Sequence, residues 1–266
     1  FVHGNCNLEE AVNRVHEEDR LTTIVLGKGE YQIDGTYLGI SSAMNIVGDP
    51  EVVKEEIVVL GGIKFKQEIQ GTCHLQHMTL REAKQCGVYG ESSFTMEDVL
   101  VEQCRFTGVV AYGTGGGGRC TNVEVCQCGE DGVNASDGAS VTLIGAKTAV
   151  HHNCTRLWMW EVSKLARIEE RTADEQKRME EICKQILGKQ YNVRSFYGLT
   201  IMCMERTQVE GCQYGLDVTG SSSSTIQLVF PLTKEQVAID NGGAGNWGAR
   251  CGGDISQIKT VHHSSV

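Results

Sequence analysis

Short stretches of alternating apolar and polar residues recur along the chain, and the same punctuation precedes four of them. A glycine, an aliphatic residue and a Gly/Ser/Thr cluster form Gly87-Val88-Tyr89-Gly90-Glu91-Ser92-Ser93, Gly108-Val109-Val110-Ala111-Tyr112-Gly113-Thr114, Gly132-Val133-Asn134-Ala135-Ser136-Asp137-Gly138 and Gly215-Leu216-Asp217-Val218-Thr219-Gly220-Ser221-Ser222. After them come Phe94 to Val101, Cys120 to Val125, Ser140 to Ile144 and Thr225 to Val229. Period-two alternation with one apolar face predicts β-strands. Gly87, Gly108 and Gly132 lie 21 and then 24 residues apart. That period is too long for a hairpin meander and too short for a helix-pair repeat. It suits a coil of three short strands and three turns. Met78/Leu80, Val99/Val101 and Val123/Val125 then point inward, with Arg81 and Glu102 outward beside Thr79 and Glu124. Cys104 and Cys128 share a column just before the Gly-aliphatic turn, where glycine is expected to supply a positive φ.

The first residues follow a different pattern. Asn7-Leu8-Glu9-Glu10 has an N-cap and a Glu three residues on, and Leu8, Ala11, Val12 and Val15 form one face of a short helix. Short strands follow around Thr23 to Ile33, Leu38 to Ile40 and Met44 to Gly48. This helix, the run to Gly48 and the Gly-aliphatic coils resemble the pectin-lyase-like superfamily over about residues 7–155 and 213–260, on repeat period rather than on any catalytic motif. The resemblance implies an all-β, right-handed parallel β-helix (a solenoid) with an N-terminal capping helix. Its members include lyases, hydrolases, epimerases, adhesins and non-enzymatic repeat proteins, so the fold alone selects no function.

The array is interrupted between Gly132 and Gly215, giving three parts: cap and coils at 1–155, an insertion at 156–213, and last coils with a Gly-rich tail at 214–266. Within the insertion, Glu161 to Lys189 holds seven acidic and seven basic residues, and no Gly before Gly188. It reads as a helix. Leu165, Ile168, Thr172, Glu175, Met179, Ile182 and Ile186 step by three and four, a seam apolar at both ends and polar in the middle. Such a stripe packs locally on the coils, docks a partner helix, or belongs to a loosely ordered insertion. Trp158 and Trp160 at its entrance serve packing, a protein anchor or sugar stacking.

Composition narrows the classes. A net charge of -10 disfavours nucleic acid and anionic membrane, both of which reward clustered Lys and Arg. No apolar stretch approaches the roughly 20 residues of a membrane span. Phe1 to Asn5 does not read as a signal peptide. With 32 Gly, 2 Pro and 6% aromatics, many tight turns and an aliphatic core are expected. The 12 Cys read as buried thiols, as disulfides or as metal ligands. Their recurrence at equivalent repeat positions favours buried thiols, and with them a reducing intracellular compartment.

Chemistry is sparse. Arg81, Glu102 and Glu124 form the one outward group suited to a sugar chain, against the plainer reading of a solvated face. The polygalacturonase-like and uronate-epimerase-like signatures are missing, and Gly115 to Gly118 lacks the Lys of a phosphate loop. Asp217 reads as an isolated turn residue. In His151-His152-Asn153-Cys154 the adjacent imidazoles should point to opposite faces of a strand and share no metal. No metal or cofactor is expected. The leading reading is a non-catalytic scaffold that binds a protein partner through the insertion, with Trp158, Trp160, Leu165, Ile168, Met179, Ile182 and Ile186 as contacts. The alternative is a carbohydrate-active lyase or epimerase, with a polysaccharide partner at Arg81, Glu102 and Glu124.

Overall fold

The structure, a computed structural model, describes residues 7–18, 21–154, 214–220, 223–242 and 244–262. The expected insertion and its helix lie outside the described residues.

The described chain is mostly β. Helix α1 (Leu8–Glu17) starts where the sequence indicates, with the Asn7 side chain accepting from the Glu9 N–H at 2.9 Å. It buries Leu8, Val12 and Val15 in the core and lies against the first strand. Strands then follow in close succession: β1 (Thr23–Leu26), β2 (Gly29–Gln32), β3 (Leu38–Ile40), β4 (Asn45–Gly48), β5 (Ile57–Leu60), β6 (Ile63–Phe65) and β7 (Cys73–Arg81). Next are β8 (Val88–Gly90), β9 (Ser93–Glu102), β10 (Val109–Tyr112), β11 (Gly117–Thr121), β12 (Glu124–Cys126), β13 (Val133–Ser136), β14 (Ser140–Ile144) and β15 (Ala149–His151). The chain closes with β16 (Tyr214–Thr219), β17 (Thr225–Val229), the short helix α2 (Lys234–Val237), β18 (Ala238–Ile239), β19 (Gly245–Arg250) and β20 (Ile258–Val261).

These strands form two sheets. In the 13-stranded sheet one path runs β1-β4-β7-β9-β11-β14-β17-β20, and β2, β5, β12, β15 and β18 join it through β7 and β9. The 7-stranded sheet runs β19-β16-β13-β10-β8-β6-β3. Among the described residues every strand pairing is parallel. The four Gly-aliphatic starts fall in one register: Val88 pairs with Val109, Val109 with Val133, and Val133 with Leu216. Apolar side chains from both sheets merge in a single core that runs from Leu8 to Ile258.

The reason for the glycine column differs from the expectation. Gly108 does not take a positive φ; a Cβ there would lie 2.3 Å from Val125 Cγ1 and 2.8 Å from the Gly132 carbonyl. Close approach of the Val125 side chain and the Gly132 backbone therefore selects glycine. Left-handed backbone occurs at other glycines, Gly113 among them, and at non-glycine bends: His77, Asp98 and Asn122 in one series, and Glu82, Gln103, Gln127 and His152 in another. The predicted strand from Cys120 to Val125 is accordingly split into β11 and β12 by the bend at Asn122.

Buried cysteines follow the sequence reading. Cys73, Cys104, Cys120, Cys126, Cys128 and Cys154 are buried thiols, while Cys251 is exposed. The Cys104/Cys128 column continues into Asn153 and Asn241. Asn153 accepts from the Cys128 N–H at 3.0 Å and donates to the Val125 carbonyl at 3.0 Å. Asn241 in turn accepts from the Asn153 N–H at 3.1 Å and donates to the Val150 carbonyl at 2.9 Å.

Candidate functional site

The face formed by β5, the second half of β7 and β9, and β12 and β15 carries the main concentration of polar chemistry. Its register places Leu60, Arg81, Glu102, Cys126 and His151 in one row across the strands. Glu124 sits two rows away and so on the same side of the sheet, opposite Leu100 and Ala149. Arg81 and Glu102 share a row, and Arg81 Nε donates to Glu102 Oε1 at 2.6 Å. Glu124 does not join that pair, and bonds His151 instead. Thr79 does not face solvent: it is 0% exposed, and its hydroxyl donates to the Lys54 carbonyl at 3.0 Å beneath the 3-10 turn Lys54–Glu56.

His151 is the centre of the group. Its Nε2 lies 2.9 Å from Glu124 Oε1, and its Nδ1 lies 2.7 Å from His152 Nδ1. The two rings meet edge to face with centroids 5.0 Å apart. Strand alternation would have separated them, but His152 has left-handed backbone (φ 53°), and this bend returns its ring to the side of His151. The expectation of opposed imidazoles is therefore corrected. In the neutral tautomer whose Nε2 donates to the carboxylate, His151 Nδ1 is the acceptor for a His152 Nδ1–H. The hydrogen bond from His151 holds the Glu124 carboxyl below its ordinary range, against partial burial and with help from Lys54.

Cys126 lies beside His151 in this row but is only 5% exposed. Burial, then the neighbouring Cys128, Glu102 and Glu124, push its thiol upward, so it is not an activated nucleophile. Cys126 and Cys128 do not form a shared chelate, because the Cys128 thiol turns inward to the Cys126 carbonyl at 3.5 Å.

A second group flanks the first. Lys54 Nζ and His77 Nδ1 each bond Asp98, at Oδ1 and Oδ2, both at 2.7 Å. His77 Nε2 also meets the Val52 carbonyl at 2.7 Å, so both ring nitrogens face acceptors. Burial lowers the His77 pKa, but the bonds to Val52 and Asp98 outweigh it and raise it overall.

On the other sheet, Asp217 is 0% exposed on β16 and is not an isolated turn residue. Its Oδ2 receives Asn134 Nδ2 at 2.7 Å, Arg250 Nη2 at 2.7 Å and the Thr219 hydroxyl. Arg250 Nη2 also bonds Asp131 Oδ2 at 2.6 Å, and Asp131 Oδ1 accepts the Tyr214 N–H at 2.7 Å. Burial and the nearby Asp217 push Asp131 up to about 7. This cluster fastens the turn before β13 to β16 and β19.

Trp158, Trp160, Leu165, Ile168, Met179, Ile182 and Ile186 lie outside the described residues. Sequence reading missed the meeting of Cys126 with His151, although 25 residues separate them, one repeat length. It missed Lys54 entirely, which comes from a turn outside the repeat pattern. Among the described residues no helix is long and apolar enough to cross a membrane.

No family model and no curated protein matches the chain. Among solved structures, the Azotobacter vinelandii mannuronan C-5 epimerase AlgE4 A-module is matched at 11% sequence identity with a TM-score of 0.24, over 95% of this chain and 92% of that chain.

Proposed function

We propose that the chain is a right-handed parallel β-helix, with the 156–213 segment inserted between coils, and that it acts on a polysaccharide lying across β7, β9, β12 and β15. The observation that supports this is the hydrogen-bonded series Glu124–His151–His152, in which His151 shares a row with Arg81 and Glu102 and Glu124 lies on the same side of β12. Parallel strands repeat at roughly 4.8 Å, so equivalent side chains form rows across the sheet. A chain of sugar units laid along such rows meets polar groups at regular intervals.

The chemistry suited to this arrangement is proton transfer at a sugar carbon or hydroxyl. The imidazole pair keeps one proton between its Nδ1 atoms, while His151 holds another on Nε2 against Glu124. The carboxylate stabilises the positive charge that arises when the pair takes up a further proton. Arg81 and Lys54 supply N–H donors for the carboxylate of an acidic sugar.

The test is a panel of uronate-containing and neutral polysaccharides, followed by proton NMR for bond cleavage, elimination or epimerisation. Turnover is expected to fall by about 10²–10⁴-fold in His151→Ala, the usual weight of a general acid–base group. Absence of binding and turnover across the whole panel would remove the proposal.

A further inference from the structure

We propose that Glu124, Cys126 and His151 form a binding site for a borderline-soft divalent cation of the zinc class, whose occupancy replaces the Glu124–His151 hydrogen bond. The site shares Glu124, His151 and the outer partner His152 with the polysaccharide reading but stands without it.

Geometry comes first. One ligand atom from each residue, a carboxylate oxygen, a thiol sulfur and an imidazole nitrogen, lies within 4.8 Å of the other two. Glu124 and Cys126 are two apart on β12 and so project to the same side, and register sets His151 directly beside Cys126. Zinc bonds of about 2.0–2.3 Å call for ligand atoms somewhat closer than this, within reach of small side-chain rotations. The fold supplies the positions without rearranging a strand.

The donor set selects the ion. Calcium and magnesium take oxygen ligands, and a thiolate with an imidazole offers them little. Sulfur, nitrogen and oxygen together suit zinc, and three protein ligands leave a fourth position for water or another group. Glu102, paired with Arg81, lies next to Cys126 and adds a carboxylate to the surroundings of the site.

His152 completes the arrangement. With the ion on Nε2, His151 carries its proton on Nδ1 and donates it to His152 Nδ1, a contact already at 2.7 Å. Such an outer hydrogen bond fixes the tautomer and orientation of a metal-bound imidazole. The proton count follows: the imidazole pair rearranges its protons and stays neutral, while the Cys126 thiol releases one proton to solvent for each ion bound.

The experiment is titration of the metal-free full chain with Co²⁺, reading the near-ultraviolet thiolate-to-cobalt band and the visible bands of tetrahedral cobalt, then displacement by Zn²⁺. One equivalent is expected to develop the thiolate band, with that band lost in Cys126→Ser. His152→Ala is expected to weaken binding by about 10–100-fold. Circular dichroism checks that each variant is folded. Should Cys126→Ser fail that check, Glu124→Gln at a 43% exposed side chain serves instead, with at least tenfold weaker binding expected. A wild-type chain without the band, a band that survives Cys126→Ser, or Glu124→Gln binding as tightly as wild type each overturns the site. A cobalt band without polysaccharide turnover leaves this inference standing alone, and turnover without a band removes only this inference.

Discussion

Gly108 and Gly113 are a few residues apart, yet they resist substitution for different reasons. A Cβ at Gly108 would strike Val125 Cγ1 and the Gly132 carbonyl, one of them main chain, and would also come within 3.1 Å of Cys128 Sγ. At Gly113 nothing lies within 4 Å, and the obstacle is a φ of +74°. Overpacking of a filled interior costs about 1–3 kcal/mol. A single non-glycine residue in left-handed backbone costs roughly 1–2 kcal/mol. Urea denaturation should therefore find Gly108→Ala the more destabilised of the two. It should also separate them at a second substitution: Gly113→Asn recovers most of the loss, because Asn tolerates left-handed backbone, whereas Gly108→Asn is worse than Gly108→Ala. If Asn rescues both positions, the glycine column is a matter of φ after all.

At the scale of elements, the asparagine ladder has the clearest energetic role. Asn153 is buried and satisfies the Cys128 N–H and the Val125 carbonyl, groups that turn away from the regular strand ladders at a corner of the chain. Leaving a buried partner unsatisfied costs about 1–3 kcal/mol. Asn153→Ala is thus expected to lose at least that much in equilibrium unfolding, and Asn153→Asp to retain only the acceptor half. A loss below about 0.5 kcal/mol would mean that the corner is already hydrated. The same ladder shows what could be read from the sequence. Strands β14 and β17 match the predicted Ser140 to Ile144 and Thr225 to Val229, because period-two alternation runs through β14 and through β17 as far as Leu228. The Arg81–Glu102 row was legible because it depends only on repeat length. The Glu124–His151–His152 group was not, since a left-handed residue at 152 breaks the alternation on which the facing of side chains was judged. Likewise Asp217 appeared solitary because its distant partners, Asn134 and Arg250, lie 83 residues before it and 33 after it.

Over the whole molecule, stability is set by how each strand is held by its neighbours, and the two ends are held differently. Helix α1 covers the beginning with three buried apolar side chains, while β19 closes the 7-stranded sheet with two glycines among its six residues. The Asp131–Asp217–Arg250 cluster compensates there with charge, which makes the C-terminal strands sensitive to pH. Asp131 titrates near 7 in the folded chain against an ordinary 3.8, so between those values the unfolded chain is ionised while the folded chain keeps its proton. This group therefore favours folding most at low pH, less as pH rises, and no further change follows above about 7. His77 acts in the same sense higher up, its contribution complete below 6.5 and lost as pH rises through its raised value. Asp98 and Glu124 are lowered, so their contributions are present above 3.8 and 4.5 and are lost on acidification beyond those points. Between pH 5.5 and 8 the cluster and His77 dominate, and they lie on different sheets. Hydrogen exchange, corrected for the intrinsic pH dependence of amide exchange, should show protection falling in β16 and β19 as pH rises, with β11 and β14 little changed. Asp131→Asn should abolish that local loss while leaving the behaviour around His77 intact. A uniform loss across both sheets, or one untouched by Asp131→Asn, would place the pH sensitivity elsewhere in the molecule.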